Sequence, residues 1–349
     1  APFIAANASD YAEIRERHRN RDGGKRLVSL AKARGQRFDG DWDKYDPPAP
    51  KQLGVQAFDD YPLDELVPLI DWTPFFQAWE LHGRYPAILT DTVVGTQASE
   101  LFRDAQAMLK RIIDEKWLTA KAVFGLWPAN SVGDDVVADI DGTPTTIHFL
   151  RQQADKPPER PDFCLSDFIA PRDSGKQDWI GAFAVTAGLG IEPHIARFQA
   201  DHDDYNAILL KALADRLAET LAERIHQRVR TEFWGYAADE SLDAEALIEE
   251  KYRGIRPAPG YPACPEHSEK ATIFKLLDPA SNAGMQLTEN FAMTPAAAVS
   301  GFYFSHPHSQ YFVVGRVSKE QAADYAKRKG VELAQAERWL ASNLDYDPE

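Results

Sequence analysis

Between Asp204 and Trp234 the apolar residues Leu210, Leu213, Leu217, Leu221, Ile225, Val229 and Phe233 recur every three or four positions. That is the period at which one face of an α-helix meets a core. The stretch therefore predicts the longest helix of the chain, with this stripe buried. Asp215, Glu219 and Glu223 also step by four and fall on the opposite side.

Shorter signals predict what the helix packs against. Residues 97–116 carry Leu101, Ala105, Met108, Ile112 and Ile113 at helical spacing. KAVFGLW at 121–127 and WIGAFAVTAG at 179–188 are apolar runs of strand length. DDVVADI and TPTTIHFL flank Asp141-Gly142, a pair suited to a type I′ turn, so a hairpin is expected there. GFYFSH at 301–306 and YFVVGRV at 311–317, flanking SHPHSQ, predict a second hairpin. Ser318 opens a capping-box pattern, SKEQ, and Gly330 closes that helix; Val331 to Leu340 continues as another. Hairpins imply antiparallel pairing, so the expected class is α+β with a mixed or antiparallel sheet.

The N-terminal part has another character. Residues 8–34 read as helical or partly so, with Ser9 or Asp10 as cap. Residues 35–54 are rich in Gly, Asp and Pro, and PPAP at 47–50 favours extended backbone. This predicts a connector over residues 1–52 and a globular unit over 53–349. With 349 residues the chain has room for one large domain or two smaller ones, and 44% hydrophobic residues supply a core.

A formal net charge of −15 argues against general nucleic-acid binding and against an anionic membrane surface. Arg15, Arg17, Arg19, Arg21, Lys25 and Arg26 form a local basic run, read either as a solvated linker or as a contact for an acidic partner. Two cysteines, Cys164 and Cys264, build no disulfide framework and fit a reducing compartment. No apolar run approaches the ~20 residues of a membrane span. The N-terminus lacks the cationic-then-apolar pattern of a secretion signal, so a cytoplasmic location is expected. The chain does not begin with Met, which leaves open a fragment or a processed product.

No P-loop, serine elbow or strand–GxGxxG–helix pattern is present. The most unusual stretch is RPAPGYPACPEH, Arg256 to His267. Its four prolines remove four N–H donors, which excludes a central strand or a helix and predicts a stiff, extended surface run. Arg256 can pair a carboxylate in bidentate fashion. Tyr261 offers a flat face and a hydroxyl. The set suits a zwitterionic amino acid with an aromatic or heterocyclic end; a rigid connector is the alternative. Cys264 and His267, with Cys164, His306 or His308, could make only half of a zinc-type pattern, which usually needs four ligands.

RPAPGYPACPEH resembles the hallmark loop of the activation domain of cobalamin-dependent methionine synthase. IDWTPFFQAWEL at 70–81, FGLWPANSVGDD at 124–135, LSDFIAPRDSGKQDWIGAFAVTAG at 165–188, HDDYNAILLKALADRLAE at 202–219, SGFYFSHPHSQYFVVGRV at 300–317 and KRKGVELAQAERWLASNL at 327–344 resemble the same family in the same order. The likeness runs from about residue 53 to the end, and residues 1–52 resemble the connector from a cobalamin-binding domain. It implies a C-shaped single domain with a twisted antiparallel sheet and flanking helices, not a Rossmann fold. It also implies a loop-built S-adenosylmethionine site that serves the reductive methylation of cob(II)alamin, with the electron from a flavodoxin-type donor.

By the same resemblance Arg256 would take the ligand's carboxylate and Asp71 its ammonium. Tyr261 and the backbone at Ala258 would line the site. Tyr311 and Phe312 match a tyrosine pair, and Phe312 lacks the second hydroxyl. Glu219 would lie near the sulfonium, or else be one of three carboxylates on a solvated helix face. His267 would face the corrin, or be an ordinary surface histidine. The cobalamin motif DxHxxG is absent. The chain is therefore expected to bind S-adenosylmethionine, not to hold cobalamin tightly, and not to make methionine unaided. Its expected partners are the cobalamin-binding domain of the same enzyme and the electron donor, docked through Arg15–Arg26 or Lys327-Arg328-Lys329.

Overall fold

A computed structural model describes residues 27–348. The expected helix start at Ser9 or Asp10 and the Arg15–Arg26 cluster lie outside that range. The chain packs as two compact units. Among the described residues, one takes those up to Phe38, Leu150–Cys164 and those from Val313 onward; the other takes Asp39–Phe149 and Leu165–Phe312.

The larger unit is built on a sheet whose described pairs are all antiparallel. Its strands are β1 (Gly54–Phe58), β2 (Thr119–Val132), β3 (Asp135–Ile140), β4 (Thr143–His148), β5 (Asp178–Leu189) and β8 (Ala298–Tyr303). β6 (Gln286–Leu287) and β7 (Met293–Thr294) form a separate small pair. The order is β4-β3-β2-β5-β8, with β1 also on β2. β1 pairs with β2 as far as Leu126 and β3 from Ala129 onward. Pro128, which has no N–H to give, falls in the gap between them. Asp141 and Gly142 both have positive φ, 51° and 83°, as a type I′ turn requires.

The long helix spans Asp204–Arg228, and Val229–Phe233 continues it as a wider π-type turn. Leu210, Leu213, Leu217, Leu221, Ile225 and Val229 are fully buried. They join Phe124, Phe183, Val185 and Tyr303 from the sheet in one core cluster. The helix predicted at 97–116 spans Gly95–Asp114.

The second predicted hairpin does not form. Phe304 and Ile255 exchange both backbone hydrogen bonds at 3.0 Å, and Phe302 N–H donates to the Pro257 carbonyl at 2.9 Å. The outer edge of β8 is thus taken by residues 255–257, and Tyr311–Val317 is not a strand. Pro257 can fill an edge position because the pairing uses its carbonyl alone. The Arg256–His267 segment is likewise not an extended surface run. Gly260 N–H donates to the Cys264 carbonyl at 2.7 Å and Cys264 N–H to the Tyr261 carbonyl at 2.9 Å, which folds it into consecutive turns. Ala263, Cys264 and Glu266 are buried. Prolines forbid helix and central strand, but they leave tight turns open.

In the smaller unit Ser318 caps Lys319–Lys329 by accepting from Gln321 N–H at 3.2 Å. The return arm of the capping box is diverted: the Gln321 amide donates to the Arg151 carbonyl at 3.0 Å and to Gln153 at 2.7 Å. Lys327, Arg328 and Lys329 lie in the last turn of that helix, where the C-terminal dipole favours cations, and Arg328 pairs with Asp324 at 2.8 Å. Among the described residues no helix is long and apolar enough to cross a membrane.

Candidate functional site

Arg256 is placed by the sheet edge. It follows the Ile255–Phe304 bridge, and its N–H donates to the Tyr311 hydroxyl at 3.1 Å. Its guanidinium reaches the polar side of the long helix, where Nη1 lies 2.8 Å from Glu223 Oε2 and also donates to the Tyr252 hydroxyl. Tyr252 in turn donates to Glu223 Oε2 at 3.2 Å. Burial is the largest influence and works against the Arg256 charge, but Glu223, Tyr252, Tyr311 and Glu250 together outweigh it, so its pKa is raised and it stays cationic. Nε and Nη2 have no hydrogen-bond partner among the described residues. These are the two donors of the side-on edge that grips a carboxylate.

Behind Glu223 lies a second arginine. Arg230 is fully buried, 3.5 Å from Glu223 Oε1 through Nη1, and bidentate to Glu240 through Nε and Nη2 at 2.8 Å each. Its guanidinium sits 3.8 Å over the Tyr252 ring. The buried His226 stacks on Tyr303 with ring centroids 5.1 Å apart. Burial, then Arg230 and Arg256, push its pKa well below the usual value, so it is neutral.

Arg256 opens on a cavity of about 240 Å³ whose wall includes Asp71, Glu219, Glu223 and Glu250, with Leu69, Pro74 and Leu247 as apolar surface. Asp71 caps the helix Trp72–Ala78, accepting from Thr73 N–H through Oδ1 at 3.0 Å. That leaves Oδ2 without a partner among the described residues. Glu219 makes no hydrogen bond or ion pair there either. Burial pushes its pKa up, with Arg216 opposing. The cavity wall carries four carboxylates against two guanidiniums, Arg216 and Arg256. A ligand with more positive than negative charge suits it best.

The structure therefore brings Asp71, Glu219 and Arg256 into one cavity, with Tyr311 bonded to the Arg256 backbone. Tyr261 is 58% exposed. Burial first, then the charges of Glu219 and Asp215, raise its pKa, which puts it beside these acids. The Ala258 carbonyl accepts from Tyr261 N–H at 3.2 Å. Of the other predicted residues, Ala258, Tyr261, His267, Tyr311 and Phe312 do not line the cavity. Phe312 packs on Phe168 at 6.3 Å between centroids. The His267 ring lies against Gly260, with Nδ1 3.1 Å from Lys270 Nζ. Cys164 and Cys264 are buried, and no group of three or more potential metal ligands occurs among the described residues. A larger open depression of about 540 Å³, near Asp59, Glu65 and Arg228, contains none of the predicted residues.

Sequence reasoning did not single out Tyr252, Arg230, Glu240 or Glu250. The available signal was the helix face: Glu219 and Glu223 sit one turn apart and Arg230 two turns further on, so all three share one side.

A polar pocket with a free arginine edge and free carboxylates, on an antiparallel α+β unit without a glycine-rich phosphate loop, is chemically suited to zwitterionic, cation-bearing ligands. The family model for "Vitamin B12 dependent methionine synthase, activation domain" matches residues 62–330. This chain belongs to that family. It is also similar to the solved structure described as "Crystal Structure of the MetH Reactivation Domain bound to AdoHcy". The two share 53% identity with a TM-score of 0.89, over 92% of this chain and 99% of the other.

Proposed function

We propose that the cavity binds S-adenosylmethionine by its amino-acid end and presents the methyl for reactivation of cobalamin. The observation that carries this reading is the free Nε/Nη2 edge of Arg256 in the same cavity as the free oxygen of Asp71. The first suits the ligand's carboxylate and the second its ammonium. The volume of about 240 Å³ accommodates an amino-acid moiety, and the nucleoside is assigned, outside that wall, to Tyr261 and the Ala258 backbone. The acidic balance of the wall favours the sulfonium over a neutral thioether, and Glu219 is the carboxylate assigned to it. The S-adenosylhomocysteine ("AdoHcy") bound by the similar structure is the product that remains once the methyl has left.

Reduced cobalamin, held by its own domain, would supply the nucleophile for this transfer. The methyl on a sulfonium is already activated, so the described residues need only orient it and exclude water. Cobalamin itself is assigned to a separate domain of the same enzyme, with residues 1–52 as the connector, His267 facing the corrin and a flavodoxin-type protein as electron donor. Tyr311 contributes through its bond to Arg256, and Phe312 through its ring or backbone.

Calorimetric titration of S-adenosylmethionine tests the reading. Arg256→Ala should weaken binding by the ~1.5–3 kcal/mol of a charge-assisted hydrogen bond, roughly 10- to 150-fold. Unchanged affinity would remove the ligand assignment.

A further inference from the structure

Arginine side chains reach a carboxylate in many orientations, and a site gains affinity when the useful one is already held. The guanidinium of Arg256 is held on one side only. Nη1 is bound by Glu223 and Tyr252, and the Nε/Nη2 edge is left open. A carboxylate this close to an arginine would ordinarily take that bidentate edge for itself. Glu223 does not, because its other oxygen lies 3.5 Å from Arg230 and Tyr252 donates to the oxygen that Arg256 uses. Arg230 cannot follow Glu223, since its own bidentate edge is locked to Glu240 at 2.8 Å on both contacts. The result is a largely buried row of alternating charge, Glu240, Arg230, Glu223, Arg256, that ends at the cavity.

We infer that Glu223, anchored by Arg230 and Glu240 and braced by Tyr252, is a positioning residue that keeps the bidentate edge of Arg256 turned to the ligand's carboxylate. A ligand carboxylate extends the alternation by one more charge. The inference rests on the reading that Arg256 takes that carboxylate. Although Glu223 also lines the cavity, its effect on the ligand's carboxylate is exerted through Arg256.

The test compares S-adenosylmethionine with its decarboxylated analogue by calorimetry on the wild-type chain, Glu223→Asp and Tyr252→Phe. Glu223→Asp keeps the charge and draws it back by one methylene. Tyr252→Phe keeps the ring under Arg230 and removes the hydroxyl, and it decides the matter should Glu223→Asp fail to fold. Wild type should prefer the carboxylated ligand. Each folded variant should bind S-adenosylmethionine about tenfold more weakly, the size of one charge-assisted hydrogen bond. The decarboxylated analogue should bind as it does to wild type. Equal weakening of both ligands would mean a merely structural role and overturn the inference, as would unchanged affinity for both. A wild-type chain that fails to discriminate the two ligands would instead remove the Arg256 reading, and this inference with it.

Discussion

Arg230→Met is the perturbation that most directly probes the buried charge row. Methionine keeps the length and apolar stem of arginine and deletes the charge. The Arg230 side chain is fully buried and that of Glu240 is 6% exposed. After the substitution Glu240 loses both of its 2.8 Å donors and keeps its burial. Removing one partner of a buried pair costs about 3–5 kcal/mol, most of it the stranded charge. Loss of the cation–π contact with Tyr252, at 3.8 Å, adds about 1 kcal/mol. An unfolding entropy of about 2.1 cal/mol/K per residue, over a unit of roughly 260 residues, turns this into a fall in Tm of about 7–11 °C. Circular dichroism melts at neutral pH measure it. The companion variant Arg230→Met/Glu240→Leu removes the stranded carboxylate as well, and it should recover part of the loss relative to the single change. A single variant that melts within about 2 °C of wild type would refute the claim that this row is held by mutual compensation. So would a double variant that loses the full sum.

Two further outcomes follow from the geometry. Asp178 is buried and its pKa is raised to about 7 by that burial, even though Ala170 and Trp179 N–H donate to it at 2.8 and 2.7 Å. The unfolded carboxyl titrates near 3.9, so the folded state holds a proton that the unfolded state releases. Stability should therefore fall as pH rises from about 4 to 7, by up to roughly 4 kcal/mol, and Asp178→Asn should flatten that slope in urea titrations. Equal slopes for the two proteins would show that Asp178 is not the titrating group. Gly260 has φ +99° and an added Cβ would meet the His267 ring at 2.2 Å. The ring can swing away, but the backbone angle cannot be relieved so easily, so Gly260→Ala should cost about 1–3 kcal/mol and weaken ligand binding through the loop. A variant as stable as wild type would show that the turn tolerates a side chain.

The identity of most elements was legible because the signals are local. The leucine stripe of residues 210–229, the Asp141-Gly142 turn and the Ser318 cap each depend on neighbours a few positions away, and each is found where the sequence puts it. The predicted strand at 311–317 failed because strand formation needs a free edge. Residues 255–257 already occupy the edge of β8, and nothing within 311–317 records that. The proline loop failed in the same way: missing donors exclude regular structure without saying whether the chain runs straight or turns.

The candidate site divides along the same line. From sequence alone came the leading residues, Arg256, Asp71 and Glu219, through residue chemistry and family likeness. From sequence too came the helix face that carries Glu219 and Glu223. A helical period shows which face is apolar, but not what covers the other one. Only the tertiary structure decided that this polar face is roofed by the Arg256 loop and is not left to solvent. The same packing ties Glu223 to Arg256 and Tyr252 and leaves one edge of Arg256 open. The contacts of Tyr252 and Arg256 with Glu223 span 29 and 33 residues, and Asp71 shares the cavity with Arg256 across 185; such partners meet only once the sheet and the long helix have packed.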